Sequence, residues 1–276
     1  MANKYERIQI FEETMALCKN DEVLRTEVTK SISGQRIFWQ DEEIGASPEK
    51  QEDETKIFLV DERTVKAGER YAKQGLKVCI LNFASSVTPG GGVVRGTTAQ
   101  EESICRITSL YPALIDEETA APFYTKHKDM IETGQMGREN RDDCIFTPNV
   151  MVIREDDYDC QLLSKEEWYK VDVITCAAPD LRTGSYNNTD PELIKLLDNR
   201  IKQIFDVALY NKEEVLILGA FGCGVFGNSP AVVARIFRRH IESYYANVFK
   251  TIVFAIPDKS SINYMSFYDE FNEKLN

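Results

Sequence analysis

Histidine is almost missing from this chain: among 276 residues only His127 and His240 carry an imidazole. Neither has a second His or a Cys at metal-ligand spacing, so HExxH and Cys/His zinc arrangements are absent, and no metal or other cofactor is expected. Cysteine is sparse and unpaired in pattern. Cys18, Cys79, Cys105, Cys144, Cys160, Cys176 and Cys223 form no CxxC, are odd in number and lie mostly in apolar surroundings. Buried free thiols in a reducing compartment fit that usage, so a cytoplasmic location is expected. No apolar signal core opens the chain either, because the first residues lead into an amphipathic stretch containing Glu12 and Glu13.

Long hydrophobic runs are missing as well. The longest uncharged stretch, Val215 to Ala234, is interrupted by four glycines and by Asn228-Ser229-Pro230. It reads as strand, loop and helix start, not as a membrane span. Positive charge is in deficit, with 33 Lys and Arg against 45 Asp and Glu and a net charge of −12. A broad basic groove tracking a nucleic-acid backbone is therefore not expected, and any phosphate ligand must be held locally. What the chain does have is 43% hydrophobic and 28% charged residues, which excludes a disordered or fibrous protein and supplies a sizeable core. A monomer is expected.

Residues 3 to 33 carry helical periodicity and end at Gly34, a residue suited to a helix C-cap. An acidic surface loop follows over residues 40 to 56. This segment, 1–56, is expected as a helical extension with an acidic loop, and 57–276 as the main domain. From residue 57 strands and helices alternate: Ile57-Val60, a helix closed by Gly75, then the apolar strand Leu76-Phe83. A helix is expected at 98 to 111, strands at Asn149-Ile153, Val171-Cys176, Glu214-Gly219 and Thr251-Ile256, and helices at 190 to 210, 229 to 246 and 261 to 275. Near-continuous apolar strands separated by helices mean an α/β sheet covered on both faces. In such sheets ligands bind in loops beyond the strand carboxyl ends.

Two such loops are rich in glycine. One, after Asn82, carries Gly90, Gly91 and Gly92 and runs to Thr98-Ala99-Gln100-Glu101-Glu102; the other carries Gly222, Cys223, Gly224, Val225, Phe226 and Gly227. Each follows a strand and opens a helix, so backbone N–H groups and the helix dipole together favour an anion there, a diphosphate cradle without lysine. Either loop taken alone is equally explained as a tight turn. Two on one sheet edge favour the cradle. Gly222, Gly224 and Gly227 also spell GxGxxG, but the first cycle of the sheet lacks that string, which gives a dinucleotide dehydrogenase little support.

Thr98 to Glu101 matches a capping box, with Thr98 as N-cap and Glu101 reaching back from the third helical position. Glu102 has no such structural employment; the bland alternative is an exposed first-turn acid complementing the dipole. On an ideal helix it points about 100° away from Glu101.

The segment from Asn82 to Tyr111, with its strand asparagine, GGG, seven intervening residues and QEE followed by Ser-Ile-Cys-Arg, resembles the bacterial-type poly(ADP-ribose) glycohydrolases, a branch of the macrodomain fold. Weaker echoes are Ile174-Thr175-Cys176-Ala177-Ala178-Pro179, the second glycine loop, and Phe254-Ala255-Ile256-Pro257-Asp258. The resemblance covers about residues 57 to 276 and implies a macrodomain-like mixed sheet with helices on both faces and an N-terminal helical extension. It implies that the glycine loops clamp the diphosphate of ADP-ribose, that Asn82 and Glu101 bind ribose hydroxyls beside Gln100, that Phe226 packs on the nucleotide and terminal ribose, and that Glu102 is the catalytic acid. Ordinary core packing stays open for Phe226. Cys223 reads as a small loop residue, since no His lies nearby in sequence to make a thiolate.

The implied partner is ADP-ribose or poly(ADP-ribose) on modified proteins, and the implied reaction is hydrolysis of the ribose–ribose bond. That reaction needs a proton for the leaving oxygen and an anion near an oxocarbenium ion, which a carboxylic acid and the substrate's diphosphate would supply. One carboxyl is expected to serve as acid and then base, which requires a raised pKa at Glu102. A mono-ADP-ribosyl hydrolase shares every motif, and a non-catalytic ADP-ribose-binding module remains a further alternative.

Overall fold

The computed structural model describes residues 2–276 apart from Ala46, Glu49 and Ser185. The chain opens with α1 (Lys4–Asn20) and α2 (Glu22–Gly34). The periodicity over residues 3 to 33 is broken at Asp21, whose carboxylate accepts the N–H groups of Val23 (3.0 Å) and Leu24 (3.1 Å) and thereby starts a second helix. Gly34 is the last helical residue rather than a left-handed cap. A Cβ there would lie 2.7 Å from the Pro148 ring, so close packing is what the position requires.

There follow β1 (Arg36–Phe38), β2 (Lys56–Val60), α3 (Thr64–Ala72), β3 (Val78–Phe83), α4 (Gln100–Ile107), α5 (Leu110–Leu114), α6 (Ala121–Glu132) and β4 (Cys144–Val152). The chain closes with β5 (Tyr169–Cys176), α7 (Pro191–Tyr210), β6 (Val215–Leu218), α8 (Pro230–Ser243), β7 (Thr251–Ala255) and α9 (Ile262–Phe271). The helix expected over 98 to 111 is therefore two. α4 stops before Thr108, whose side chain turns back onto the Ile104 carbonyl at 2.8 Å. The strand expected from Asn149 begins five residues earlier, and its register shifts between Thr147 and Val150, where Asn149 has φ 57°.

Among the described residues the strands form one sheet in the order β1-β4-β5-β3-β6-β7-β2. β2, β7, β6, β3 and β5 are parallel, while β4 runs antiparallel to both its neighbours. The sheet is thus mixed and is covered by helices on both faces, as expected. Alternation along each strand divides the core. Cys79, Leu81, Leu216, Leu218, Ile252 and Phe254 face α7, α8 and α9, whereas Ile80, Ile217 and Val253 face the side of α3, α4 and α6. With β3 and β6 side by side at the centre, the loops leaving their carboxyl ends face each other, and these are the two glycine loops.

Residues 1–56 are woven into this architecture. Arg36–Phe38 pairs with Cys144–Phe146 as an edge strand, and Lys56, just before the boundary expected at 57, already pairs with Thr251. Against the first glycine loop, Arg7 of α1 donates its Nε to the Gly96 carbonyl at 2.7 Å. Thr14 Oγ1 donates to the Arg106 carbonyl at 2.8 Å, and the Phe11 ring meets Tyr111 edge-on at 4.9 Å. No helix among the described residues is long and apolar enough to cross a membrane.

Candidate active site

Gln100, Glu101 and Glu102 open α4; Gln100 is tied to β3 and α3, and the two acids to the loop that precedes them. Gln100 accepts the Phe83 N–H at 2.8 Å and donates to the Leu81 carbonyl (2.7 Å) and Thr64 Oγ1 (3.1 Å). Glu101 Oε2 accepts the Ser85 N–H at 2.8 Å, and Glu102 Oε1 accepts the Gly92 N–H at 2.8 Å. The capping box expected between Thr98 and Glu101 does not form: the N-cap is Ala99, without a side-chain bond, because Glu101 is committed to Ser85. Nor do the two acids diverge around the helix. Both carboxylates converge on Gly91, where a Cβ would stand 2.6 Å from Glu102 Oε1 and 3.1 Å from Glu101 Oε2. With φ 58° as well, that position admits only glycine.

The pair is deeply placed. Glu101 is 2% and Glu102 8% exposed, and Asn82 at the end of β3 is fully buried, with its amide donating to Thr175 Oγ1 at 3.1 Å. One oxygen of each, Asn82 Oδ1, Glu101 Oε1 and Glu102 Oε2, is buried with no hydrogen-bond partner among the described residues. Burial pushes the Glu101 carboxyl up to about 8; the adjacent Glu102 charge adds to this, while the Ser85 N–H bond and the nearby Asn82 amide and Gly90 N–H, neither in hydrogen-bond geometry with it, oppose it.

The second loop carries the other residues expected at the site. Asn228 fixes it by donating to the carbonyls of Pro179 (2.8 Å) and Gly222 (3.0 Å). Gly222 has φ 72° and packs so closely on Ala178 that a Cβ would meet the alanine methyl at 2.5 Å. Gly224 opens to space, Val225 is 66% exposed, and Phe226 is half-buried with one side against the core. Burial pushes the Cys223 thiol up to about 12, so no thiolate nucleophile arises there.

Between the loops runs a cleft of about 450 Å³ whose wall includes Gln100, Gly222, Gly224, Val225 and Phe226, and which extends past Phe83 to Ile256 and Pro257 beyond β7. Glu101 and Glu102 do not line it, although they fall in the chain between the wall residues Gln100 and Ser103. Asn82 and Gly90 to Gly92 do not line it either; Gly90 packs on the Tyr111 ring and Gly92 on Thr97.

Two supports escape sequence reading. His127 of α6 bridges the first loop to β4, with Nδ1 3.1 Å from the Ser86 carbonyl and Nε2 2.8 Å from Asp143 Oδ2. Burial would raise the Asp143 carboxyl, but His127, the Gln40 N–H and Arg141 outweigh it and hold the group below the usual range. In the cleft wall Asp156 caps α3 from a distance in the chain. It accepts the Val65 (2.9 Å) and Lys66 (3.2 Å) N–H groups while bonding Arg63 at 2.7 Å. Each partner lies far away in the chain, so no local pattern signals it.

Fold and site together define a macrodomain-like α/β protein in which a buried carboxylate pair fastens the first of two facing glycine loops. The catalytic-domain model of microbial-type PARG, poly(ADP-ribose) glycohydrolase, matches residues 5–155, and the chain belongs to that family. Among solved structures, the poly(ADP-ribose) glycohydrolase of Thermomonospora curvata is 29% identical over 97% of this chain and 100% of its own, with a TM-score of 0.86. The same enzyme bound to the inhibitor ADP-HPD gives 29% identity, the same coverage and a TM-score of 0.84. The Deinococcus radiodurans enzyme in complex with ADP-ribose is 29% identical over 89% of this chain and 97% of its own, with a TM-score of 0.75. No protein of curated function matches the sequence.

Proposed function

We propose that this protein hydrolyses the ribose–ribose O-glycosidic bonds of poly(ADP-ribose) and releases ADP-ribose. The observation that carries the reading is the trio of buried, partnerless oxygens on Asn82, Glu101 and Glu102, gathered beside two glycine loops. An orphaned buried oxygen costs free energy, and three together are matched by a ligand rich in hydroxyl donors whose diphosphate the loops can hold.

In this reading Glu102, with Oε1 held by the Gly92 N–H, uses Oε2 to give a proton to the departing 2′-oxygen as the glycosidic C–O bond breaks. The substrate's own diphosphate stabilises the oxocarbenium ion. Water then adds to the anomeric carbon, and its proton returns to the Glu102 carboxylate, which restores the acid. Glu101, neutral at pH 7 with a pKa of about 8, and Asn82 grip ribose hydroxyls. Phe226 packs on the terminal ribose and nucleotide, and Gly90, Gly91, Gly92, Gly222, Cys223, Gly224, Val225 and Gly227 cradle the diphosphate.

Residues 1–56 serve the catalytic unit 57–276 as a buttress. The protein works as a monomer on polymer attached to modified proteins. Its seven free cysteines suit work in a reducing cytoplasm.

The test is incubation with poly(ADP-ribose) and, separately, with mono-ADP-ribosylated protein, scoring free ADP-ribose. Release from the polymer is expected. Release only from the mono-modified protein would move the activity to a mono-ADP-ribosyl hydrolase.

A further inference from the structure

Two arginines converge on one buried carboxylate at the rim of the cleft. Asp180, beyond the end of β5, is 6% exposed in its side chain. Its Oδ1 accepts Arg182 Nε at 2.8 Å, and its Oδ2 accepts Arg182 Nη2 at 2.6 Å and Arg138 Nη1 at 3.0 Å. A single bidentate guanidinium already satisfies a carboxylate, so the second arginine leaves the cluster one positive charge in excess on a chain of net charge −12. Among the described residues Arg182 Nη1 and Arg138 Nε and Nη2 have no acceptor, and both side chains stay about half exposed, at 51% and 55%. The neighbouring Glu139 carboxylate accepts the Gly137 N–H at 2.7 Å. The arginines are therefore set in place by Asp180 with donors left over. The Asp180 carboxyl, held down to about 2 first by its Arg182 hydrogen bonds, keeps that arrangement charged at any working pH.

Their position along the cleft follows from the sheet order. One end of the cleft is apolar and lies beyond β7, at Ala255, Ile256 and Pro257, which suits a flat base. The acid pair follows β3. β5, which leads to Asp180, is the neighbour of β3 on the side away from β6 and β7. The Leu181 N–H donates to the Phe226 carbonyl at 2.9 Å, and the Arg182 guanidinium carbon stands 5.5 Å from the centre of the Phe226 ring. The arginines thus lie past Phe226, at the end of the cleft opposite the apolar one.

A chain end bound with its base near β7 and its scissile bond at the acid pair sends the rest of the polymer toward β5. That remainder carries a diphosphate one ribose beyond the bond to be broken. Resting on the function proposed above, we propose that Arg182 and Arg138, preset on Asp180, bind the diphosphate of the penultimate ADP-ribose unit and so make the enzyme prefer polymer to mono-modified protein.

The experiment compares Arg182→Gln, Arg138→Gln, the double variant and Arg182→Lys with the parent. It measures KM for poly(ADP-ribose), affinity for free ADP-ribose and melting temperature. Loss of one charge-assisted contact should raise the polymer KM about tenfold, and the double variant should lose more. ADP-ribose affinity should stay within about twofold, and Arg182→Lys should recover part of the loss because it keeps the charge. Added salt should raise the parent's KM more steeply than the double variant's. A polymer KM unchanged in both single variants overturns the subsite. So does a parallel fall in ADP-ribose affinity, which would show that Arg182 acts only by holding Phe226. Arg138→Gln, whose bonds are to Asp180 alone, decides the matter where Arg182→Gln melts early. A parent that releases nothing from polymer overturns both the function and the subsite; an active parent with indifferent arginine variants overturns the subsite only.

Discussion

Arg7 and Gly96 lie 89 positions apart in the chain, yet the Arg7 Nε donates to the Gly96 carbonyl at 2.7 Å. Gly96 closes the 3-10 turn Val93–Arg95 with φ 69°, and a Cβ there would strike the Lys4 carbonyl at 2.6 Å. The first helix and the first glycine loop are thus built against each other. Arg7→Ala removes a charge-assisted bond to a part-buried carbonyl and should cost about 1–2 kcal/mol. That corresponds to a fall in melting temperature of roughly 2–8 °C by size scaling. Because the loop itself loosens, ADP-ribose affinity should fall as well, measured by calorimetry. Unchanged affinity would confine α1 to a purely structural role.

How much of this was legible in advance follows the reach of each interaction. The five parallel strands were readable because a strand buried on both faces is a continuous apolar run, and the loops because glycine and QEE sit within one local segment. The edge strand Arg36–Phe38 was not, since three residues carry no period, and its place is set by β4, more than a hundred residues on. Glu101 was assigned to a cap that local spacing permits, but the part-buried Ser85 N–H, in need of an acceptor, takes the carboxylate. His127, with Ser86 and Asp143 as partners, Arg138 on Asp180, and Arg182 beside Phe226 depend on tertiary pairing and left no signature.

Phe226 is half-buried against the core and also lines the cleft. Phe226→Ala should leave a folded protein with a modestly lowered melting temperature but slow turnover about ten- to a hundredfold, because the terminal ribose loses the surface that orients it. Circular dichroism and steady-state release of ADP-ribose separate the two effects. A variant that does not fold would assign Phe226 to the core, and one with full activity would remove it from the site.

The raised Glu101 carboxyl has a consequence for pH. Its folded value of about 8 lies above the ordinary 4.5, so between these limits the folded state holds a proton that the unfolded chain has released. The stability this contributes is complete below about pH 4.5 and is lost as pH rises through 8. Glu213, pushed up to about 9 by burial and by Asp172, acts in the same direction. Melting temperature should therefore fall between about pH 6 and pH 9, and Glu101→Gln should flatten part of that slope. ADP-ribose affinity should weaken over the same range as a negative charge appears on Glu101, against a ligand that is itself an anion. A melting profile with the same slope in parent and variant would contradict the assignment.

The sharpest comparison sets the two acids against each other. In Glu102→Gln the amide oxygen can still accept the Gly92 N–H, now 2.8 Å from Oε1, so the loop stays in place. The carboxyl proton is gone, and hydrolysis should drop by at least about a hundredfold with little change in ADP-ribose affinity. In Glu101→Gln the amide oxygen can keep the Ser85 N–H, and at pH 7 a neutral amide replaces a group already mostly neutral, so the fold should be as stable as the parent or more so. Its loss should appear in binding, because the atom facing the ribose hydroxyls changes from a hydroxyl or carboxylate oxygen to an NH2 donor. Both variants are to be measured under one set of conditions, for release of ADP-ribose from polymer and for direct ligand affinity. Equal hydrolysis by Glu102→Gln and the parent would return Glu102 to a first-turn acid that merely fastens Gly92, and a hydrolytic loss confined to Glu101→Gln would transfer the acid role to its neighbour.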